Sequence, residues 1–426
     1  NKGKEFVLAF GYGYLGKNDV KLFVSSTENV SVSIESPNPR FTTQIIAKNA
    51  GTQEVILDSS TAHTSIGISK KSIIIRSSSE ISVHGLRFSV HHSADAFTAL
   101  PIESLSSTYV ISLYNSTKPV YISIVSVYDG TSVSITLNNI DKIVYDNRNY
   151  YNGDTIRVHL EKFQSFVLRH SSDLSGTIVK SNKPISVYSG GDIDFPIARY
   201  EVDSILSQLL PVEHWDTKFI VPLLYPHSDV LIRIFAFNPN TSVTIRNETH
   251  DKTHYLARES FVEEHLGNGL VVVNSSQPVG VIQYAFSEDR DSSIFGDSIM
   301  MVVPGINQFS SEYLFPTKID QIEMKHYVAV IIKNKSLSGL RLDGNLVVAK
   351  TFPVHFNEED YVVAVQELKG YFHNLTHIDR TIKFGALVYG FGYKSGYGFP
   401  AGFELRDIVN CVTTQIPSAT TEFISK

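Results

Sequence analysis

Phe6-Val7-Leu8-Ala9-Phe10, Val20-Lys21-Leu22-Phe23-Val24 and Val30-Ser31-Val32-Ser33-Ile34 stand in that order at the start of the chain. The third segment alternates apolar and hydroxyl side chains. That is the pattern of a strand with one buried and one wet face. The first segment opens on an aromatic residue, and the second is a short apolar run. The same three-part order recurs. Aromatic-led segments return at Tyr109–Leu113, Phe219–Leu223 and Tyr313–Pro316. Second segments follow at Val120–Ile124, Val230–Ile234 and Tyr327–Ile331, and third segments at Thr131–Leu137, Thr241–Arg246 and Gly339–Leu342. One order met four times at a period of about 100 residues is an internal repeat.

Further elements repeat behind these. Ile73–Arg76, Thr177–Lys180 and Leu270–Val273 read as strands that end in a short polar turn. Ile81–His84, Ile185–Tyr188, Val279–Ile282 and Ala386–Tyr389 read as the strands after it. The copies are joined by Ala99-Leu100-Pro101, Leu209-Leu210-Pro211 and Val302-Val303-Pro304, each preceded by an aspartate: Asp95, Asp203 or Asp297. A turn bond or helix cap is the expected role of Asp203 and Asp297. Convincing helical periodicity is scarce; the best case is Glu201–Leu210. The chain therefore reads as all-β, with about four tandem β-sandwich-like modules of roughly 100 residues packed in a rigid array. The expected bounds are 1–97, 98–207, 208–300 and 301–410. Residues 411–426 read as a linker to a downstream region. A ring or propeller is the alternative, although a propeller blade needs only about half this period.

Composition narrows the class. The 426 residues include 37 basic and 43 acidic side chains, for a net charge of −6, and no Lys/Arg block stands out. Nucleic-acid binding is not expected. No apolar run is long enough for a membrane-spanning helix. Cys411 is the sole cysteine, so no disulfide scaffold and no cysteine-built metal site can form within the chain. Seven Asn-x-Ser/Thr sequons occur, at Asn29, Asn115, Asn240, Asn247, Asn274, Asn334 and Asn374. Asn29 and Asn240 fall in the same turn of two copies, just before the third strand. A glycan needs a surface loop, so the placement points to a secreted or cell-surface glycoprotein.

Motifs that carry chemistry are few. Gly11-Tyr12-Gly13-Tyr14-Leu15-Gly16-Lys17 fits G-x-G-x-x-G, but a strand follows where phosphate binding requires a helix N-terminus. His91 and His92 with Asp95 could suggest a metal site, but two adjacent histidines on a strand point to opposite faces and read rather as solvated loop residues. Gly190-Gly191-Asp192-Ile193-Asp194 places two carboxylates on a glycine-rich loop, a spacing that can hold Ca²⁺, but no complete twelve-residue calcium loop follows. No nucleophile elbow appears. Trp215, the sole tryptophan, reads as packing between modules, with stacking on a sugar as the alternative. No cofactor, metal or catalytic residue is called for. Tyr145–Tyr151 and Tyr389–Tyr397 are tyrosine-rich segments suited either to ligand contact or to packing between modules.

At Gln208-Leu209-Leu210-Pro211-Val212-Glu213-His214-Trp215-Asp216-Thr217-Lys218-Phe219-Ile220-Val221-Pro222 the chain resembles the N-terminal domain of IgGFc-binding proteins. Asp95–Pro101, Asp173–Thr177 and Leu337–Gly344 resemble the same family, in the same order. The resemblance implies a non-enzymatic, extracellular, mucus- or surface-associated adhesion domain. Its expected partners are proteins or glycoproteins, such as mucins or immunoglobulin Fc. The resemblance also places such a domain ahead of cysteine-rich von Willebrand D-type modules, where Cys411 would find a disulfide partner. Gly190–Val202 and Tyr313–Met324, where a family member carries cysteines, have none here. A carbohydrate-binding or glycosidase-like β protein is the other reading, and a cleft with paired carboxylates would be its signature.

Overall fold

In each copy a strand of alternating or wholly apolar residues finds partners on both edges, and the sheets follow from that pairing. The computed structural model describes residues 2–405 except 12–17, 49, 64, 90–92, 115–117, 139–141, 194–202, 228–229, 268, 286–297, 318–322 and 393–394. Lead strands run over Gly3–Leu8, Ser106–Val110, Asp216–Val221 and Glu312–Pro316. Second strands occupy Asn18–Ser26, Val120–Ser126, Val230–Ala236 and Met324–Lys333. Third strands occupy Val30–Glu35, Thr131–Thr136, Thr241–Arg246 and Leu340–Leu342. The repeated all-β pattern is borne out as several curled, sandwich-like sheets.

The polar turns do not end their strands in the first three copies. In the first three copies the two expected strands are one long strand: Ile73–Ser89, Ile178–Ile193 and Val271–Ala285. Its first half pairs with the lead and third strands, and its second half with the second strand. The polar residues form a wide bulge between the halves. Residues 77–80 lie opposite Lys4 alone, and equivalent shifts separate Lys180 from Ile185 and Asn274 from Val279. A bulge bends its strand without ending it. Each bulge is also tied to the third strand by a side chain. The N–H groups of Ser31, Ser132 and Ser242 donate to Ser78 Oγ (3.0 Å), Asn182 Oδ1 (2.8 Å) and Ser276 Oγ (2.9 Å).

The fourth copy differs. Phe372–His377 and Gly385–Gly392 are separate strands in separate sheets. Between them Asp379 Oδ1 accepts from the N–H and hydroxyl of Thr381, at 2.9 and 2.7 Å, and Ile382 N–H returns to Asp379 O. This side-chain-captured turn ends the strand.

Each copy closes on a last strand that pairs with the long strand or its equivalent: Ser93–Thr98, Asp203–Gln208, Ile299–Val302 and Ser395–Pro400. The second replaces the expected helix at Glu201–Leu210. Ser204, Ile205, Leu206 and Ser207 are all buried, so both faces are covered and no alternation betrays the strand. The first closing strand contacts the second, the second the third, the third the fourth, and the fourth the first. The array thus closes into a ring.

Candidate binding surface

The centre of the ring is packed. Arg87 donates to Asp95 at 2.7 Å with both side chains buried, and Ser204 donates to the buried Asp192 at 3.0 Å. Burial pushes the Asp95 carboxyl up to about 6 against the opposing pull of Arg87. Burial works against the Arg87 charge, but Tyr121, Asp95 and Asp192 around it hold the guanidinium protonated. Asp95 is therefore an ion-pair partner inside a strand. The Gly190–Ile193 part of the glycine-rich carboxylate segment is strand as well. A Cβ on Gly190 would lie 2.6 Å from the Tyr121 hydroxyl, so the glycine makes room for that ring. Asp194, Asp297, His91, His92 and residues 12–17 fall outside the described residues, as does the side chain of Asp203. Asn18, next after the glycine motif, opens a strand.

The seams are specific. Arg233 Nη1 donates across the second seam to Leu113 O (2.7 Å), Asp173 (2.8 Å) and Ser175 Oγ (2.8 Å), while its Nε holds Glu263 at 2.7 Å. Within the third copy, Trp215 packs on Gly280, where a Cβ would sit 2.7 Å from the indole. Where the ring closes, His84 meets Phe399 at a tilt with ring centroids 5.0 Å apart, and Lys2 pairs with Glu312 at 2.7 Å.

An open cleft of about 500 Å³ lies at this closure, lined by Lys2, Lys4, Glu80, Glu103, Glu312 and Glu404 among others. Tyr313 and Phe403 also line it, but both are buried, so neither ring offers a face on which a sugar could stack. Among the described residues no three His, Cys, Asp or Glu side chains gather as metal ligands, and no helix is long and apolar enough to cross a membrane.

Asn29, Asn240 and Asn334 occupy the same connection, between second and third strand, in the first, third and fourth copies, and all three are exposed. The second copy carries Tyr128 in that connection. Asn274 is exposed in the third bulge, Asn247 is half-buried in a turn, and Asn374 lies within a strand with a buried Oδ1. Asn115 and Cys411 lie outside the described residues. Of the tyrosine-rich segments, Tyr389 and Tyr397 are buried core residues and supply no contact surface.

The other segment forms a hairpin of its own, Ile143–Tyr145 paired with Arg148–Tyr150. Asp146 and Asn147 take φ of 49° and 59°, the left-handed pair that a two-residue hairpin turn requires. Ile143 enters the core, Tyr145 meets Phe166 edge-on at 5.4 Å, and His170 Nε2 lies 2.8 Å from Lys142 O. Val144 points outward.

The residues from 95 to 390 match the family model described as IgGFc binding protein. The chain belongs to the IgGFc-binding protein family. It is 24% identical over 414 residues to human IgGFc-binding protein, covering 94% of this chain and 7% of that relative. No solved structure matches. Both the Leu-Leu-Pro linker motif at Leu209–Pro211 and the inserted hairpin lie inside the matched span of this family member. The hairpin's anchoring on Phe166 is invisible in the sequence, because the two segments meet only through the fold.

Proposed function

We propose that this chain is a non-enzymatic extracellular binding domain acting through protein or glycoprotein contacts, with immunoglobulin Fc as its partner. The observation that carries the reading is membership of the IgGFc-binding protein family across residues 95–390. A closed ring supports it physically, because rigid seams hold surface turns at fixed spacing, and a longer parent protein multiplies such sites into avidity. The proposed modules are 1–97, 98–207, 208–300 and 301–410. Glycans are proposed at Asn29, Asn115, Asn240, Asn247, Asn274 and Asn334, with Asn29, Asn240 and Asn334 in exposed connections, and not at Asn374, which lies within a strand with a buried Oδ1. A disulfide from Cys411 would lie to a partner outside this chain.

The test is biosensor binding of the chain, secreted from eukaryotic cells, to IgG Fc, with Fab and a mucin preparation alongside. Saturable binding to Fc and not to Fab is the expected result. Retention on mucin without Fc binding would replace Fc by a glycoprotein scaffold.

A further inference from the structure

We infer that the inserted hairpin of the second copy, Ile143–Tyr150 with Tyr151, is the surface that docks the folded protein partner. The inference rests on the Fc reading above.

Three observations converge on it. First, its chemistry is that of a protein-contact surface. Tyr145-Asp146-Asn147-Arg148-Asn149-Tyr150-Tyr151-Asn152-Gly153 joins Tyr and Arg, which dominate interface energetics, to adaptable Asn and Gly. Val144 and Tyr151 are 56% and 50% exposed. Second, the hairpin is a two-stranded sheet with no further strand on either edge among the described residues. Its outer backbone groups are therefore offered to a partner that supplies matching donors and acceptors, as a polypeptide does. Third, the surface continues across a seam. The first copy's strand Gly67–Ser69 adds to the second copy's Ser165–His170, with Ile68 opposite Phe166. Cross-strand partners share a face, so the 47%-exposed Ile68 lies on the side of Phe166 that Tyr145 covers. The patch is thus held by two copies and is rigid before binding, which lowers the entropic cost of docking.

The test uses the whole secreted chain and the IgG Fc fragment. The variants are Val144→Asp, Arg148→Ala, Tyr151→Ala, and Tyr151→Thr, which creates a sequon at Asn149. Tyr255→Ala, on the third copy, is the exposed-tyrosine control. Melting temperatures are measured for each variant. The expected result is a loss of at least tenfold in Fc affinity for the hairpin variants, the largest for the glycan-bearing one, with melting unchanged and the control like wild type. Wild-type binding with hairpin variants equal to it overturns the docking site and leaves the Fc reading intact. Absence of wild-type Fc binding overturns the Fc reading and the docking site with it.

Discussion

The first three copies and the fourth solve one problem in two ways. All must turn a chain from one layer of the sandwich to the other. In the first three copies one strand does this through a wide bulge, held by Ser78, Asn182 or Ser276, so the backbone ladder passes from layer to layer. In the fourth copy Asp379 captures the turn, the strand ends, and the layers become separate sheets. What replaces the lost continuity is a set of side-chain ties. His377 Nε2 lies 2.9 Å from Ser336 O, and its Nδ1 lies close to the Asp379 backbone. Tyr313 donates to Phe384 O just past the break while accepting from Ser310 N–H. The second copy has the same tyrosine bond, from Tyr109 to Ile185 O, beside an unbroken strand. A covalent strand and a few buried hydrogen bonds are thus interchangeable, but the bonds are the more easily removed.

The fourth copy should therefore be the weak sector. Gly339→Val should show it most strongly. A Cβ there would fall 2.0 Å from His377 Nε2 and displace the ring from both partners, at about 3 kcal/mol. Urea denaturation would measure it, and a loss below about 1 kcal/mol would show that the break does not depend on His377.

Acid should come next. Burial lowers His84 and His326 to about 4, and His63 to about 3. These groups bind protons in the unfolded chain below the ordinary histidine value of 6.5 but not in the folded one. Their stabilisation is complete above that value and is lost as pH falls towards about 4. Asp95, raised to about 6, works in the opposite sense over part of the range, but burial lowers His214 and His227 as well, so it is one group against five. His84 lies on the closing seam and His326 in the fourth copy beside Tyr397. Hydrogen exchange at pH 4.5 should lose protection there before it does at the Arg233 seam. Uniform loss around the ring would contradict the comparison.

The tyrosine pair gives a finer contrast. Tyr313→Phe should cost about 2 kcal/mol, and Tyr109→Phe about 1, because only the second tyrosine is backed by a continuous strand. Equal costs would mean that the strand contributes nothing at this point. The smallest effect belongs to the bulge bonds. Asn182→Ala and Ser276→Ala should each cost about 0.5–1 kcal/mol by thermal melting, since their partners are exposed to water. Larger losses would make the bulge, rather than the ladder, the element that carries the strand across.

The sequence by itself determined the strands, their order and their repetition, because the pleat imposes a period of two that any half-buried strand must obey. Val30–Ile34, Thr131–Thr136 and Thr241–Arg246 could be read from alternation alone. It also displayed the sequons and the tyrosine-rich segment Tyr145–Tyr151. Alternation fails where both faces are covered, and so Asp203–Gln208 passed for a helix. Only the tertiary structure decided whether Ser77–Glu80 and Asp379–Lys383 were bulge or break. That choice depends on bonds to partners far along the chain, from Ser31 in one case and to Ser336, through His377, in the other. It also decided that Tyr397 is buried while Tyr151 is exposed, and that four tandem modules close into a ring. Both follow from which copies meet across a seam, and a local pattern of residue types carries no record of that.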